Sequence, residues 1–159
     1  MLNLRIICVG KIKEKALKEL VNEYTKRLTK YVKLEITELE DEKLSPSTSE
    51  EQIKLIESKK IEEKLKKYGK STVIFLDLKG QEYTSENFAQ KLNDIQTYSS
   101  SSITFVIGGS LGMTDELLAM GDEKICFSKM TFPHQLIRLF LLEQVFRAFK
   151  ILNNEIYHH

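Results

Sequence analysis

The sequence predicts an α/β protein, with a mostly parallel sheet covered by helices. Three observations carry this reading. Short apolar runs alternate along the chain with longer segments of helical period. The first run, Leu2 to Val9, is apolar at almost every position, as a strand covered on both faces must be. The run Thr72 to Leu78, T-V-I-F-L-D-L, is β-branched and aromatic and reads as a central strand. At 159 residues the chain is long enough for one real hydrophobic core and too short for two comfortable domains.

Taken in order, Gly10 turns the chain after the first strand. From Lys13 to Leu28 the apolar positions Ala16, Leu17, Leu20, Val21, Tyr24 and Leu28 form one helical stripe with charges opposite. Leu34 to Leu39 alternates apolar and polar residues, which predicts a strand with one face more exposed, or a sheet edge. Asp41 to Ser49 is a loop and a candidate for mobility. Ser49 and Gln52 form a capping box for the next helix, which Gly69 ends. After the Thr72 strand, Ser85 caps a helix over Phe88, Ala89, Leu92 and Ile95. Ile103 to Ile107 is the next inner strand, Thr114 to Met120 a short helix, and Ile125 to Phe127 a short strand. Pro133 fits the first turn of the last helix, with Thr131 or Phe132 at its boundary. No internal repeat, low-complexity tract or linker interrupts this order.

Composition is that of an ordinary soluble globular protein, 30% charged and 42% apolar. The N-terminal run lacks the basic leader, longer apolar core and small-residue cleavage site of a signal peptide. The most apolar segment, Leu136 to Leu152, carries Arg138, Glu143, Arg147 and Lys150, which argues against a membrane span. Cys8 and Cys126 fall in predicted strands, so buried free thiols in a reducing cytoplasm are expected. No Cys or His spacing suggests a metal site. Net charge is +1, but its distribution is uneven. Lys11 to Lys33 holds eight Lys or Arg against three Glu, and Glu35 to Glu57 holds eight acids against two Lys. This reads either as a solvated helix beside an acidic loop or as a basic face that steers a phosphate backbone.

The chemistry concentrates in the last third. Gly108, Gly109 and Gly112 follow an inner strand directly, where parallel sheets place ligands, although such clusters also serve as plain turns. A second polar loop, Ser128 to Thr131, follows the next strand, so the two loops can face one pocket. The first strand is followed by G-K-I-K-E-K, which makes a standard dinucleotide fold a poor fit, and no G-x-x-x-x-G-K-S/T phosphate loop is present. Ser128 with His134 would supply a hydrolase nucleophile and base, but neither a strained elbow nor an acid partner accompanies them. The last helix is apolar on more than one face, so it is either a buried central helix or a seam for a second copy of the chain. Gln135, Arg138, Glu143, Gln144 and Arg147 would then be polar points near that seam or a site. The tail is either a frayed end or a source of functional side chains, with Tyr157 able to stack on a base and His158 able to hydrogen-bond or accept a proton.

The stretches V-I-G-G-S-L-G (Val106 to Gly112), F-S-K-M-T-F-P-H-Q (Phe127 to Gln135) and E-Q-V-F-R-A-F-K-I (Glu143 to Ile151), with Tyr157 and His158, resemble the ribosomal RNA large subunit methyltransferase H family. The first strand with V-G-K-I-K matches its start, and the resemblance covers essentially the whole chain. That family belongs to the SPOUT class. The resemblance implies a doubly wound sheet whose C-terminal part is threaded as a trefoil knot, against the usual rule for protein chains. It implies a single domain over 1–159, with knot and cofactor site in about 72–155. It further implies a cytoplasmic homodimer that binds S-adenosylmethionine. Its activity would be methylation of N3 of pseudouridine 1915 in 23S rRNA of the assembled ribosome, with no metal. The cofactor residues implied are Leu76, Gly108, Phe127, Ser128, Lys129, Met130, Thr131 and Phe132. Tyr157 and His158 are expected to position the substrate, with Arg147 or Lys129 near phosphate. The competing reading is a non-enzymatic RNA-binding or ribosome-assembly protein, which the basic run would serve equally well.

Overall fold

The computed structural model describes residues 1–157. Five strands form one parallel sheet in the order β2-β1-β4-β3-β5. They are β1 (Leu2–Val9), β2 (Val32–Leu39), β3 (Thr72–Gln81), β4 (Ser102–Ile107) and β5 (Glu123–Ile125). The helices between and after them are α1 (Lys15–Leu28), α2 (Glu50–Tyr68), α3 (Ser85–Tyr98), α4 (Asp115–Leu118) and α5 (His134–Leu152). β2 lies at one edge, which explains the alternating pattern of its sequence.

Strand periodicity divides the core into two layers. Leu2, Leu4, Ile6 and Cys8 of β1 point to one face with Ile103, Phe105 and Ile107 of β4. There they meet α1, α3 and α5 through Val21, Phe88, Leu142 and Val145. The intervening residues Ile7, Val9, Phe75 and Val106 point to the other face and meet Ile61 and Leu65 of α2 and Leu117 of α4. Both faces of the central strands are therefore covered, as their nearly continuous apolar runs require.

α5 lies on the sheet between α1 and α3. These neighbours account for most of its apolar circumference within one chain, and its Phe140 stays 36% exposed. Arg138 is not a polar point on a seam. It is 2% exposed, and its guanidinium donates to Glu38 Oε2 at 2.6 Å and to the carbonyl of Gly10 at 2.9 Å. Gln144 accepts a hydrogen bond from Ser85 Oγ at 2.7 Å.

Several boundaries shift by a residue or more. The Ser49–Gln52 capping box is present in both directions. α3, however, is capped by Thr84, because Ser85 spends its hydroxyl on Gln144. Pro133 stands at the N-cap of α5, not in its first turn. β5 covers Glu123–Ile125, and Phe127 lies beyond it. The chain leaves the ladder at Cys126, whose N–H still reaches Gln81 O at 3.0 Å, and then turns. The Cys126 thiol closes that turn on Ser128 O at 2.8 Å, just after β5 and not within a strand. Cys8 and Cys126 are both buried free thiols.

Candidate active site

The C-terminal ends of β3, β4 and β5 lie side by side and open into one cavity of about 480 Å³. Leu76, Ile107 and Ile125 form its floor, and the loops that follow each strand form its walls. This is the end of a parallel sheet at which ligands bind, and the volume suits a small-molecule site.

Local sequence shapes each wall. After Leu76, β3 breaks register with β5 and rejoins it at Gln81 opposite Ile125, so Asp77 and Leu78 bulge out over the opening. The rejoining depends on Gly80, where a Cβ would stand 2.5 Å from the backbone carbonyl carbon of Ile125. The second wall, Gly108 to Gly112, is a tight turn closed by a Gly112 N–H bond to Gly109 O at 3.0 Å. Gly112 has φ +84°, a conformation that side chains resist. At Gly108 a Cβ would meet the Met113 side chain at 2.8 Å, so the bare backbone faces the cavity there. The third wall is the segment after β5, held by the Met130 N–H bond to Ser128 Oγ at 3.0 Å. His134, the first residue of α5, closes the remaining side.

Leu76, Gly108, Phe127, Ser128, Met130, Thr131 and Phe132 all line this cavity. Lys129 is exposed and is not among the lining residues. The sequence did not single out Met113 or Ile137, which complete the apolar lining. An apolar bed with exposed backbone on two walls fits a nucleoside bearing a thioether-like chain, which needs flat apolar contact and backbone hydrogen bonds. Ser128 Oγ is occupied as a turn acceptor, and among the described residues no hydrogen bond joins it to His134. A serine hydrolase arrangement is therefore absent from them. Burial, and then the charge of Arg138, hold the His134 imidazole below its ordinary value against the opposing charge of Asp41.

A second groove, of about 640 Å³, lies behind the first. Ile125, Cys126, Phe127, Ser128 and Phe132 line both, so this segment is a partition between them. The far side of the groove is Leu20 and Tyr24 of α1, Tyr83 and Phe88, and Phe140 and Glu143 of α5.

Tyr157 and Arg147 come together near this groove and are not among the residues lining the first cavity. Arg147 pairs with Glu143 at 2.6 Å and sits 4.9 Å over the Tyr157 ring. The Tyr157 hydroxyl donates to Glu143 at 3.3 Å and lies 3.4 Å from the Tyr24 hydroxyl. Its ring meets Phe146 edge-on at 5.0 Å. Burial, followed by the Tyr24 contact and the Glu143 charge, pushes the Tyr157 phenol up to about 12. It is therefore protonated at neutral pH and suited to donate a hydrogen bond, not to act as a base. His158 lies outside the described residues. Among the described residues no group of acids, His and Cys could hold a metal ion, and no helix is long and apolar enough to cross a membrane.

Known proteins resemble the chain along its whole length. The family described as "Predicted SPOUT methyltransferase" matches residues 2–158. Ribosomal RNA large subunit methyltransferase H 1 of Clostridium perfringens is 53% identical over 99% of both chains. The protein named ribosomal RNA large subunit methyltransferase H in Clostridium acetobutylicum is 52% identical, again over 99% of both. Among solved structures, a probable methylase family protein from Haemophilus influenzae superposes with TM-score 0.55 at 17% identity, covering 100% of this chain and 72% of that one. A tRNA (m1G37) methyltransferase from Aquifex aeolicus gives TM-score 0.55 at 14% identity, covering 91% of this chain and 69% of that one. At those identities the structures speak to the fold alone, while the sequence matches speak to descent. The chain is a member of the SPOUT methyltransferase family, in its ribosomal RNA large subunit methyltransferase H branch.

Proposed function

We propose that the chain transfers a methyl group from S-adenosylmethionine to N3 of pseudouridine 1915 in 23S rRNA of the assembled ribosome, in the cytoplasm. The observation that carries this is the single cavity at three adjacent strand ends. It gathers Leu76, Gly108 and most of the Phe127 to Phe132 segment, which lie far apart in sequence. When bound, the donor supplies a methyl group already activated on sulfonium, so the chain need provide neither metal nor covalent intermediate.

What remains for the protein is alignment, which can supply much of the barrier reduction. The backbone of Gly108 to Gly112 and of Ser128 to Phe132 holds the donor, and the apolar floor excludes water. Tyr157, anchored by its bond to Glu143 and its contact with Tyr24, positions the base through its ring and through the phenol oxygen, which can still accept a hydrogen bond. His158 is the polar contact to the base, and the N3 proton leaves as the methyl group arrives. Lys129, exposed beside the partition, and the basic residues of α1 meet phosphate. Arg147 orients Tyr157 through its stacked guanidinium.

The active unit is a homodimer. Leu20, 49% exposed, and Phe140, 36% exposed, flank the second groove and leave it largely apolar. A second copy seated there would let one site draw on residues of two subunits. The domain runs over 1–159, with the trefoil knot inside about 72–155, a reading supported by family membership.

Titration with S-adenosylmethionine, followed by mass spectrometry of 23S rRNA from deficient ribosomes incubated with protein and donor, tests the proposal. One restored methyl group on the pseudouridine is expected. Saturable RNA binding with no donor heat would replace it with the assembly-factor reading. His158→Ala should lower turnover far more than donor affinity, and equal loss of both would remove the role given to that residue.

A further inference from the structure

Behind the glycine wall, on the sheet face opposite α5, two consecutive residues of α2 are buried. Glu57 is 4% exposed and Ser58 is 3% exposed. Ser58 Oγ accepts the Thr114 N–H at 3.0 Å and so fixes the residue that caps α4. Glu57 Oε2 accepts the Glu42 N–H at 3.0 Å. One turn further along, Lys60 donates to Glu40 O at 3.1 Å and to the Glu42 carboxylate at 2.7 Å. The other Glu57 oxygen lies against Gly109, where a Cβ would stand 2.7 Å from Oε1. Gly109 is not among the positive-φ glycines, so its backbone conformation does not call for glycine. The near approach of the Glu57 carboxyl does.

We propose that Glu57 is a positioning residue for the methyl-donor cavity: its carboxyl, pinned from behind by the acidic segment at Glu42, sets how far the Gly108 to Gly112 turn stands into the cavity. This rests on the donor reading above. A side chain at residue 109 requires the Glu57 carboxyl to shift, since Val9 Cγ1 already stands 3.3 Å from the same Cβ position, and the bond from the Glu42 N–H resists that shift. Cost at Gly109 and presence of Glu57 are thus one quantity, which a double-mutant cycle reads.

The experiment compares wild type, Gly109→Ala, Glu57→Ala and the double variant, with Glu57→Gln as the shape-conserving control. Donor affinity is measured by calorimetry with S-adenosylmethionine, turnover at saturating donor by methyl incorporation, and folding by the thermal midpoint. Gly109→Ala should weaken donor binding about tenfold in the wild-type background and less than about threefold when added to Glu57→Ala. Glu57→Gln should retain what Glu57→Ala loses, and turnover at saturating donor should change less than affinity. Equal cost of Gly109→Ala in both backgrounds overturns the proposal, as does a Glu57→Gln protein that binds donor no better than Glu57→Ala. Should wild type bind no donor, the donor reading fails by itself. The cycle is then read in thermal midpoints, where coupling of the same sign upholds the contact and additivity overturns it. Glu57→Ser provides a second small residue if the alanine variant does not fold.

Discussion

Arg138 of α5 and Glu38 of β2 meet at 2.6 Å although a hundred positions separate them in the chain. The same guanidinium donates to Gly10 O, so one side chain ties the ends of β1 and β2 to the helix that closes the strand-end cavity. Arg138→Met should cost about 2–3 kcal/mol, below the range for fully buried pairs because Glu38 is partly solvated. Arg138→Lys should recover only part of this, since an ammonium cannot make both contacts in one plane. Urea denaturation of the two variants checks the order, and a neutral Arg138→Met would contradict it.

Glu57 makes stability depend on pH. Burial raises its carboxyl above the ordinary carboxylate value of 4.5, so the folded state keeps the proton longer than the unfolded state does. Its contribution is full below that value and is lost as pH rises through the raised one. Glu57→Gln should therefore melt higher than wild type near neutral pH, the two curves converging at about pH 4. Parallel curves across that range would show that the carboxyl does not titrate as its burial dictates.

His134 works in the other direction. Its imidazole is held below 6.5 by burial and by Arg138, so on acidification the unfolded state takes up the proton first. Stability is full above 6.5 and is lost as pH falls through the lowered value. His134→Gln should flatten the acid limb of the melting curve, and NMR titration of the ring should place its midpoint below that of a free imidazole.

Gly80 admits no side chain because the nearest atoms are backbone, at 2.5, 2.7 and 2.8 Å in Ile125. Gly80→Ala should separate β3 from β5 and destabilise the fold by about 2–4 kcal/mol. Donor affinity should fall with it, since those two strands supply Leu76 and Ile125 of the cavity floor. Unchanged calorimetric affinity in a folded Gly80→Ala protein would break this link.

Tyr157→Phe removes one hydrogen-bond donor and leaves the ring against Phe146 and Arg147. Turnover should drop about threefold to tenfold, the worth of one hydrogen bond, with donor affinity unaffected. A matching fall in donor affinity would remove Tyr157 from substrate positioning.

The inner strands were readable in the sequence because burial on both faces writes itself as a nearly continuous apolar run, as in Leu2 to Val9 and Ile103 to Ile107. Ser49 and Gln52 were readable because a capping box is purely local. The cavity at the strand ends was readable from glycines placed directly after a strand. β5 was misplaced because a three-residue edge strand takes its register from β3 and not from its own side chains. Arg138 read as a polar point near a seam or a site, and its burial was not legible because its partner Glu38 lies a hundred positions away. Glu57 was passed over for the same reason: its burial is decided by Gly109 and Glu42, neither of which neighbours it in sequence.

The segment from Ile125 to Phe132 has a cavity on each side of it. A thin septum of this kind cannot be stiffened from one side alone. A ligand on one side that changes the fit of anything resting on the reverse has its own affinity changed by the same free energy in return. Were the first cavity to hold the methyl donor and the second groove a large partner, their loading would be thermodynamically linked, and the sequence of arrival would change rates without changing the final balance.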